Sequence, residues 1–346
     1  MPPSIKKLNI FNEEQYIQQQ AYSFDQLSFR MYILSLNTAI EVIQMATLIM
    51  SQIWDSVPIV FPFIDITSEF QRGIFYICLE SLKKWFIDIP IQLYETFVLQ
   101  ERYGLNTKTL KQYFQDPMFH QFQEVPQGEL YEEIIKMTKK INFPLKKIYI
   151  IDQSKRSNHS NAYFFGFGSN KRIVLYDTLF QKMTNNEILA VIGHELGHWY
   201  YNHQQWNFLF FGFKMSILFF IFQSFLQTES IFLSFGFKES STFIGSALFY
   251  NLFSPINSIL ELIQLQISRR FEQTADIFAC ELNLGQHLKT ALIKLQCENA
   301  SYLLPDKWYA WYNFSHPTLF QRIKNIKEYL AYNTIKKAKW EQITRD

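Results

Sequence analysis

The sequence predicts a mostly α-helical, multi-span membrane protein with a polar domain that contains a small β-hairpin. The 346 residues include 35 Phe and 48% hydrophobic residues but only 18% charged residues, a composition typical of membrane or core-rich proteins rather than disordered chains. Several segments are long and apolar enough for membrane spans. The mean hydropathy of −0.09 nevertheless indicates that a substantial polar domain accompanies them.

Charge and cysteine content exclude two further classes. A net charge of +2 is too small to create an electrostatic field that attracts an acidic polymer, so we expect no nucleic-acid partner. The three cysteines, Cys78, Cys280 and Cys297, are far apart in the sequence. An odd number excludes a complete disulfide framework, and we expect buried thiols in a reducing compartment.

The organisation along the chain follows from where apolar and polar segments alternate. Residues 1–28 are expected to form a polar lead-in. Residues 29–116 are expected to contain two weak spans, at 31–54 and 73–99, which are either buried helices or spans whose polar residues face a water-filled interior. Residues 117–346 are expected to carry the chemistry and two further spans, at about 206–226 and 241–267, because a bilayer needs about 20 predominantly apolar residues in a row.

Strand and capping signals precede the first of these later spans. Residues 147–151 are a short strand candidate, and 161–167 and 171–176 predict two strands around the turn Gly-Ser-Asn. Thr184 and Glu187 form a capping box. The box predicts the start of a helix that runs to about Tyr201.

The strongest functional signal lies on that helix, where residues 194–198 are His-Glu-Leu-Gly-His. Side chains four positions apart share one helical face, so His194 and His198 can bind one metal ion, and the H-E-x-x-H pattern is typical of zinc proteases. Zinc lowers the pKa of a water molecule that it binds to about 7, and Glu195 is placed to accept a proton from that water as a general base. The alternative is a surface helix that carries two histidines by chance.

A catalytic zinc ion takes three protein ligands and leaves one position open. Tyr201 and Gln204 stand where the metzincin extension has Gly and His, so the third ligand must come from elsewhere. Glu272 is the candidate, as in thermolysin-like gluzincin sites. Asp276, one helical turn further on, is expected to accept the outer ring N–H of a ligand histidine. The alternative is that these carboxylates form a solvated helix end.

The remaining histidines give weaker signals. His203 lies five residues beyond His198, rotated well round a continuous helix, and is expected to be structural. His159 adjoins the predicted hairpin and is a candidate to line the site. His316 precedes Arg322 at helical distance, and the two side chains could donate hydrogen bonds to the oxyanion or to a substrate carboxylate; ordinary packing at a helix start is the alternative.

Substrate binding is predicted at the start of the hairpin. Zinc proteases commonly bind a substrate as an added strand, because main-chain hydrogen bonds accept any extended sequence. Asn161, Ala162 and Tyr163 open the strand pair that precedes the zinc helix, and they are the candidate edge.

Taken together, these motifs resemble the type I CAAX prenyl endopeptidase family, the multi-span zinc proteases of the endoplasmic reticulum. The resemblance extends over nearly the whole chain. The segments that carry it are 154–163, 170–177, 194–199, 268–276 and 315–322, with N-terminal landmarks at 19–23 and 101–106.

The resemblance implies release of the last three residues after a prenylated cysteine in a CAAX carboxyl terminus. It implies one zinc ion per chain, prenylated CAAX peptides or proteins and the lipid bilayer as partners, and the endoplasmic reticulum membrane as the location, with the inner nuclear membrane as a second site. The family's ligands correspond to His194, His198 and Glu272, and its base to Glu195. Its substrate strand corresponds to Asn161, Ala162 and Tyr163, and its oxyanion and carboxylate contacts to His316 and Arg322.

The chain also departs from this family. Its members are longer and carry further spans, one of which would precede Met1, and others where this chain has a short polar stretch between Tyr113 and Pro126. Two alternatives therefore stay open. One is a membrane gluzincin with broader, quality-control specificity; the other is a truncated, inactive relative that acts as a membrane scaffold.

Overall fold

The computed structural model describes residues 2–6, 13–65, 67–115, 122–155, 160–298 and 302–343. These residues are mostly helical, as predicted, with one four-stranded sheet. The helices are α1 Pro3–Lys6, α2 Glu13–Ala46, α3 Ile49–Val60, α4 Glu69–Tyr94, α5 Leu110–Gln115, α6 Glu129–Lys140, α7 Asp177–Lys182, α8 Asn185–Tyr200, α9 His203–Leu226, α10 Glu229–Ser234, α11 Thr242–Leu252, α12 Ser254–Glu281, α13 Gly285–Glu298, α14 Lys307–Asn313 and α15 Leu319–Ile343. The strands are β1 Phe122–Glu124, β2 Leu145–Ile151, β3 Ala162–Phe165 and β4 Lys171–Tyr176.

The chain forms two compact units that interleave along the sequence. The first unit comprises Met1–Ser23, Arg102–Asn207 and Leu262–Asp346, and the second comprises Phe24–Glu101 and Phe208–Glu261. The domains expected from the sequence are consecutive instead, and their boundaries stay predictions. Helix α2 already begins within the expected polar lead-in of residues 1–28.

The sheet of the first unit has the order β1-β2-β4-β3. Strands β3 and β4 form the predicted antiparallel hairpin, with Ala162 opposite Leu175, while β2 lies parallel to β4. Strand β1 was not predicted, because its three residues are all exposed and lie in a polar stretch that has no alternating pattern. Among the described strands, β3 is the edge next to α8.

Two hydrophobic clusters of the first unit hold the helices that matter for the site. One cluster packs the inner face of α8 against the sheet, with Ile188, Ile192 and Leu196 of α8 beside Phe164 of β3. The other cluster joins α12 to α13 and α15 through Ala279 and its neighbours. Both clusters contain residues of α8 and residues of α12, so they fix the position of α12 relative to α8.

The described helices include candidate membrane spans. Helix α9, His203–Leu226, is long and apolar enough to cross a membrane, as the sequence predicts for 206–226. Two bent pairs meet the same criteria if each is one span: Tyr16–Ala46 with Ile49–Val60, bent by 70°, and Thr242–Leu252 with Ser254–Glu281, bent by 60°. Helix α4, expected as a weak span, is not among them, because charged residues interrupt it.

Candidate metal centre

Helix α8 carries the H-E-x-x-H residues and has a firmly fixed start. The Thr184 side chain accepts a hydrogen bond from the Glu187 N–H (3.4 Å), and the Glu187 carboxylate accepts one from the Thr184 N–H (2.8 Å), which is the predicted capping box. Burial disfavours the charged form of Glu187, but Lys294 at 2.6 Å and the Thr184 backbone outweigh it and lower the pKa of this carboxyl. The cap therefore sets the rotation of α8 and the direction of its histidines.

A close approach of α8 and α12 brings the two halves of the site together. A Cβ atom at Gly197 would lie 3.0 Å from Ala275 Cα and 3.0 Å from Phe278 Cβ, so no larger residue fits here without moving a helix. Because Gly197 lies between the two histidines in the H-E-x-x-H turn, this contact sets the distance from those histidines to α12. Glu272 and Asp276 lie on the same stretch of α12, and both are buried.

His194, His198 and Glu272 converge on one point. The Nε2 atoms of the two histidines are 3.2 Å apart. One Glu272 oxygen lies 3.4 Å from His194 Nε2, and the other lies 3.3 Å from His198 Nε2. Ligand atoms of a tetrahedral ion with bonds of about 2.0–2.1 Å lie about 3.3–3.4 Å apart. The three side chains therefore match a tetrahedral metal site with one open position, and they form a group of ligand atoms within 4.8 Å of one another.

The outer nitrogen of His194 faces a buried ion pair. His194 Nδ1 lies 2.9 Å from Asp276 Oδ1, the contact expected from the i, i+4 spacing on α12. Arg322 of α15 donates two hydrogen bonds to the same carboxylate, from Nε at 2.9 Å and from Nη2 at 2.6 Å. Asp276 is thus neutralised by Arg322 while it orients the His194 ring.

Glu195, between the two histidines in the sequence, also borders the hairpin. A narrow cavity beside it is lined by Ala162, Tyr163 and Phe164 of β3 together with residues of β4 and α8. Burial raises the pKa of the Glu195 carboxyl, and the neighbouring histidines only partly offset this. The predicted substrate edge and the predicted base therefore line one cavity.

The other predicted residues lie around the same centre. His316 Nδ1 is 2.9 Å from Glu272 Oε2, and its side chain is 60% exposed. Arg322 has 12% of its side chain exposed and lies 3.6 Å from Glu272, but its main partner is Asp276. Asn161 accepts the Ala162 N–H with its own side chain at 2.9 Å, and His159 lies outside the described residues.

One of the contacts that the sequence did not predict involves His203. His203 lies 3.0 Å from His198, nitrogen to nitrogen, although a continuous helix would separate them. The signal that could have revealed it is Asn202, a residue type that tolerates left-handed backbone and that has a φ of 57° here.

The chain is similar to known proteins over most of its length. Residues 124–330 match the sequence model of peptidase family M48, and residues 1–124 match the model described as CAAX prenyl protease N-terminal, five membrane helices. The CAAX prenyl protease 1 homolog of Arabidopsis thaliana is 30% identical, with 94% of this chain and 90% of that protein covered. The CAAX prenyl protease 1 homolog of Homo sapiens is 30% identical, with 75% of this chain and 74% of that protein covered.

The fold itself also has a solved counterpart. The crystal structure of S. mikatae Ste24p superposes with a TM-score of 0.86 and 28% sequence identity, and the match covers 91% of this chain and 90% of that chain. The M48 match spans more than half of the chain and contains His194, His198 and Glu272. The chain is therefore a multi-pass membrane metalloendopeptidase that belongs to peptidase family M48.

Proposed function

We propose that this chain is a zinc endopeptidase of the endoplasmic reticulum membrane that removes the C-terminal tripeptide from prenylated CAAX proteins. The observation that carries the proposal is the convergence of His194, His198 and Glu272 at ligand spacing, beside the half-buried Glu195. Two imidazoles and one carboxylate are a ligand set typical of catalytic zinc. The substrate class is supported by the relatives, which are named CAAX prenyl proteases.

In the proposed reaction, water attacks the scissile carbonyl and the C–N bond breaks. Bound zinc would supply Lewis-acid polarisation and lower the pKa of water. Glu195 accepts the proton from the attacking water and delivers it to the nitrogen of the departing tripeptide. His316, exposed beside Glu272, donates a hydrogen bond to the oxyanion that develops on the carbonyl oxygen.

The substrate would add a strand to the edge of β3. The Asn161 carbonyl accepts a hydrogen bond from the Tyr176 N–H at 3.1 Å, and pairing alternates along an antiparallel ladder. The main-chain groups of Ala162 and Phe164 therefore point toward the open edge. The Ala162 N–H donates its hydrogen bond to the Asn161 side chain. The Ala162 carbonyl and the N–H and carbonyl of Phe164 are left to bind an extended peptide next to Glu195.

Arg322 is assigned a different role from the substrate contact expected at the sequence level. A bidentate arginine–carboxylate pair is strong and geometrically demanding, and Arg322 forms one with Asp276. We therefore infer that Arg322 acts on the site through Asp276 and His194.

The decisive experiment compares two peptides with the same CAAX sequence, one farnesylated on cysteine and one with a free thiol. The full-length protein in lipid is incubated with each, and the released tripeptide is quantified by mass spectrometry, with Glu195→Gln as the blank. We expect release from the farnesylated peptide at a much higher rate. Equal rates would indicate the broader, quality-control specificity, and no release by folded, metal-loaded protein would indicate the scaffold.

A further inference from the structure

His203 contacts the metal centre because the chain turns sharply after α8. Helix α8 ends at Tyr200, and Asn202 adopts left-handed backbone with a φ of 57°. Helix α9 then begins at His203, so His198 and His203 do not lie on one continuous helix. In one continuous helix, residues five apart point about 140° away from each other, since each residue turns by about 100°. The turn instead returns His203 to His198.

Both ring nitrogens of His203 have partners, and the ring is held on both sides. His203 Nδ1 lies 3.0 Å from His198 Nδ1, and His203 Nε2 lies 3.1 Å from Thr274 Oγ1. The imidazole stacks on Phe271 with a centroid distance of 4.1 Å and an interplanar angle of 10°. Only 4% of His203 is exposed to solvent. Packing and hydrogen bonding therefore fix the orientation of this ring.

The donor and the acceptor of each hydrogen bond can be assigned by starting from Thr274. The Thr274 hydroxyl has a single hydrogen, which it donates to the Phe271 carbonyl at 2.9 Å. Thr274 must therefore accept from His203 Nε2–H. A neutral imidazole that donates from one nitrogen accepts at the other, so His203 Nδ1 accepts a hydrogen bond from His198 Nδ1–H.

This assignment determines the tautomer of His198. With its hydrogen on Nδ1, His198 carries its lone pair on Nε2, which is the atom that lies 3.2 Å from His194 Nε2 and 3.3 Å from Glu272. A metal ion requires that lone pair, and the tautomer of a ligand histidine is set by the hydrogen bond of its other nitrogen.

We propose that His203 is a positioning residue for the metal ligand His198, with Thr274 fixing the tautomer of His203 in turn. The inference rests on the proposed metal site. His198 is thereby held by a neutral chain, His203–Thr274–Phe271 carbonyl, whereas His194 is held by the charged pair of Asp276 and Arg322. This role requires a hydrogen-bond acceptor at the position of His203 Nδ1, and that acceptor does not need to be a titratable group.

The test compares His203→Asn with His203→Leu in the full-length protein. The two side chains have nearly the same size, and both lose the ring stack on Phe271, but only asparagine retains a carbonyl oxygen to accept from His198. The zinc dissociation constant is measured by competition with a chelator, and the Co²⁺-loaded proteins are compared by their visible absorption. Loss of an outer hydrogen-bond partner weakens metal binding by about 10–100-fold.

We expect that loss in His203→Leu, with an altered Co²⁺ spectrum, and an affinity close to that of the parent in His203→Asn. Equal affinity in all three proteins, or equal weakening in both variants, would overturn the proposal, because the hydrogen bond would then contribute nothing beyond packing. If the parent itself bound no zinc, the proposed function would fail together with this inference. A parent that binds zinc and variants that do not differ would reject only the role of His203.

Discussion

Glu195 and Glu272, the two carboxylates to which we assign different roles, have different surroundings. Glu272 lies within 3.4 Å of both imidazoles and is suited to hold a cation. Glu195 lines the cavity beside β3, next to the edge at which we propose that an extended peptide binds. These surroundings support our proposal that Glu272 binds the metal and Glu195 transfers protons.

Glu195→Gln tests this separation. The amide is nearly isosteric but cannot accept a proton, so we expect kcat to fall by about 10²–10⁴-fold, the usual contribution of a general base, with metal content unchanged. The measurement combines turnover of the farnesylated peptide with metal analysis of the purified variant. Glu133→Gln on α6 is the control and should retain full activity. Unchanged turnover in Glu195→Gln would reject the base assignment.

Arg322→Lys distinguishes positioning from substrate binding. Lysine keeps the charge but cannot form the two parallel hydrogen bonds that Arg322 makes to Asp276. We expect weaker metal binding and a lower melting temperature, because Asp276 would lose part of its buried partner and no longer orient His194. If Arg322 bound a substrate carboxylate instead, KM would rise while metal affinity and melting temperature stayed at the parent values.

At the scale of elements, local sequence predicted the parts of the site that depend on local geometry. The capping box at Thr184 and the hairpin of β3 and β4 follow from short-range spacing, and both are confirmed. The i, i+4 spacings of the two histidines and of the two α12 carboxylates predicted which side chains share a face. These rules work because one helical turn or one hairpin contains all the interacting residues.

The contacts that were missed depend on where separate elements meet. Arg322 reaches Asp276 across 46 positions, and no spacing rule extends that far. His203 was expected to point away from His198, because that expectation assumed one continuous helix, whereas left-handed backbone at Asn202 interrupts it. Strand β1 is too short and exposed to show a pattern, and it forms only through pairing with β2.

Gly197→Ala tests the contact between α8 and α12. The added methyl would lie 3.0 Å from the Ala275 backbone, so one helix must move away from the other. Overpacking of this kind costs about 1–3 kcal/mol of unfolding free energy, and the shift would also weaken metal binding. Gly212→Ala on α9 is the matched control, since nothing lies within 4 Å of its added Cβ. Equal stability and metal affinity in the two variants would contradict this role for Gly197.

At the scale of the whole molecule, the metal ligands all belong to one of the two compact units. His194, His198 and Glu272 lie in the first unit, whereas α3 and α4 lie in the second and have their own hydrophobic cluster around Tyr76. A ligand stabilises only the structure whose opening would release it. Metal binding should therefore protect the first unit locally.

Hydrogen exchange with and without a chelator measures this protection. An ion present at about 1,000 times its dissociation constant stabilises the bound form by about 4.1 kcal/mol, so its removal should speed amide exchange in α8 and in residues 262–281 of α12. Exchange in α3 and α4 should stay the same, because their cluster contains no ligand. His194→Ala provides the control, since a chelator should change little in a protein that has lost a ligand. Equal acceleration of amide exchange in both units would contradict a metal site confined to the first unit. No acceleration in α8 would mean that no metal ion bridges α8 and α12.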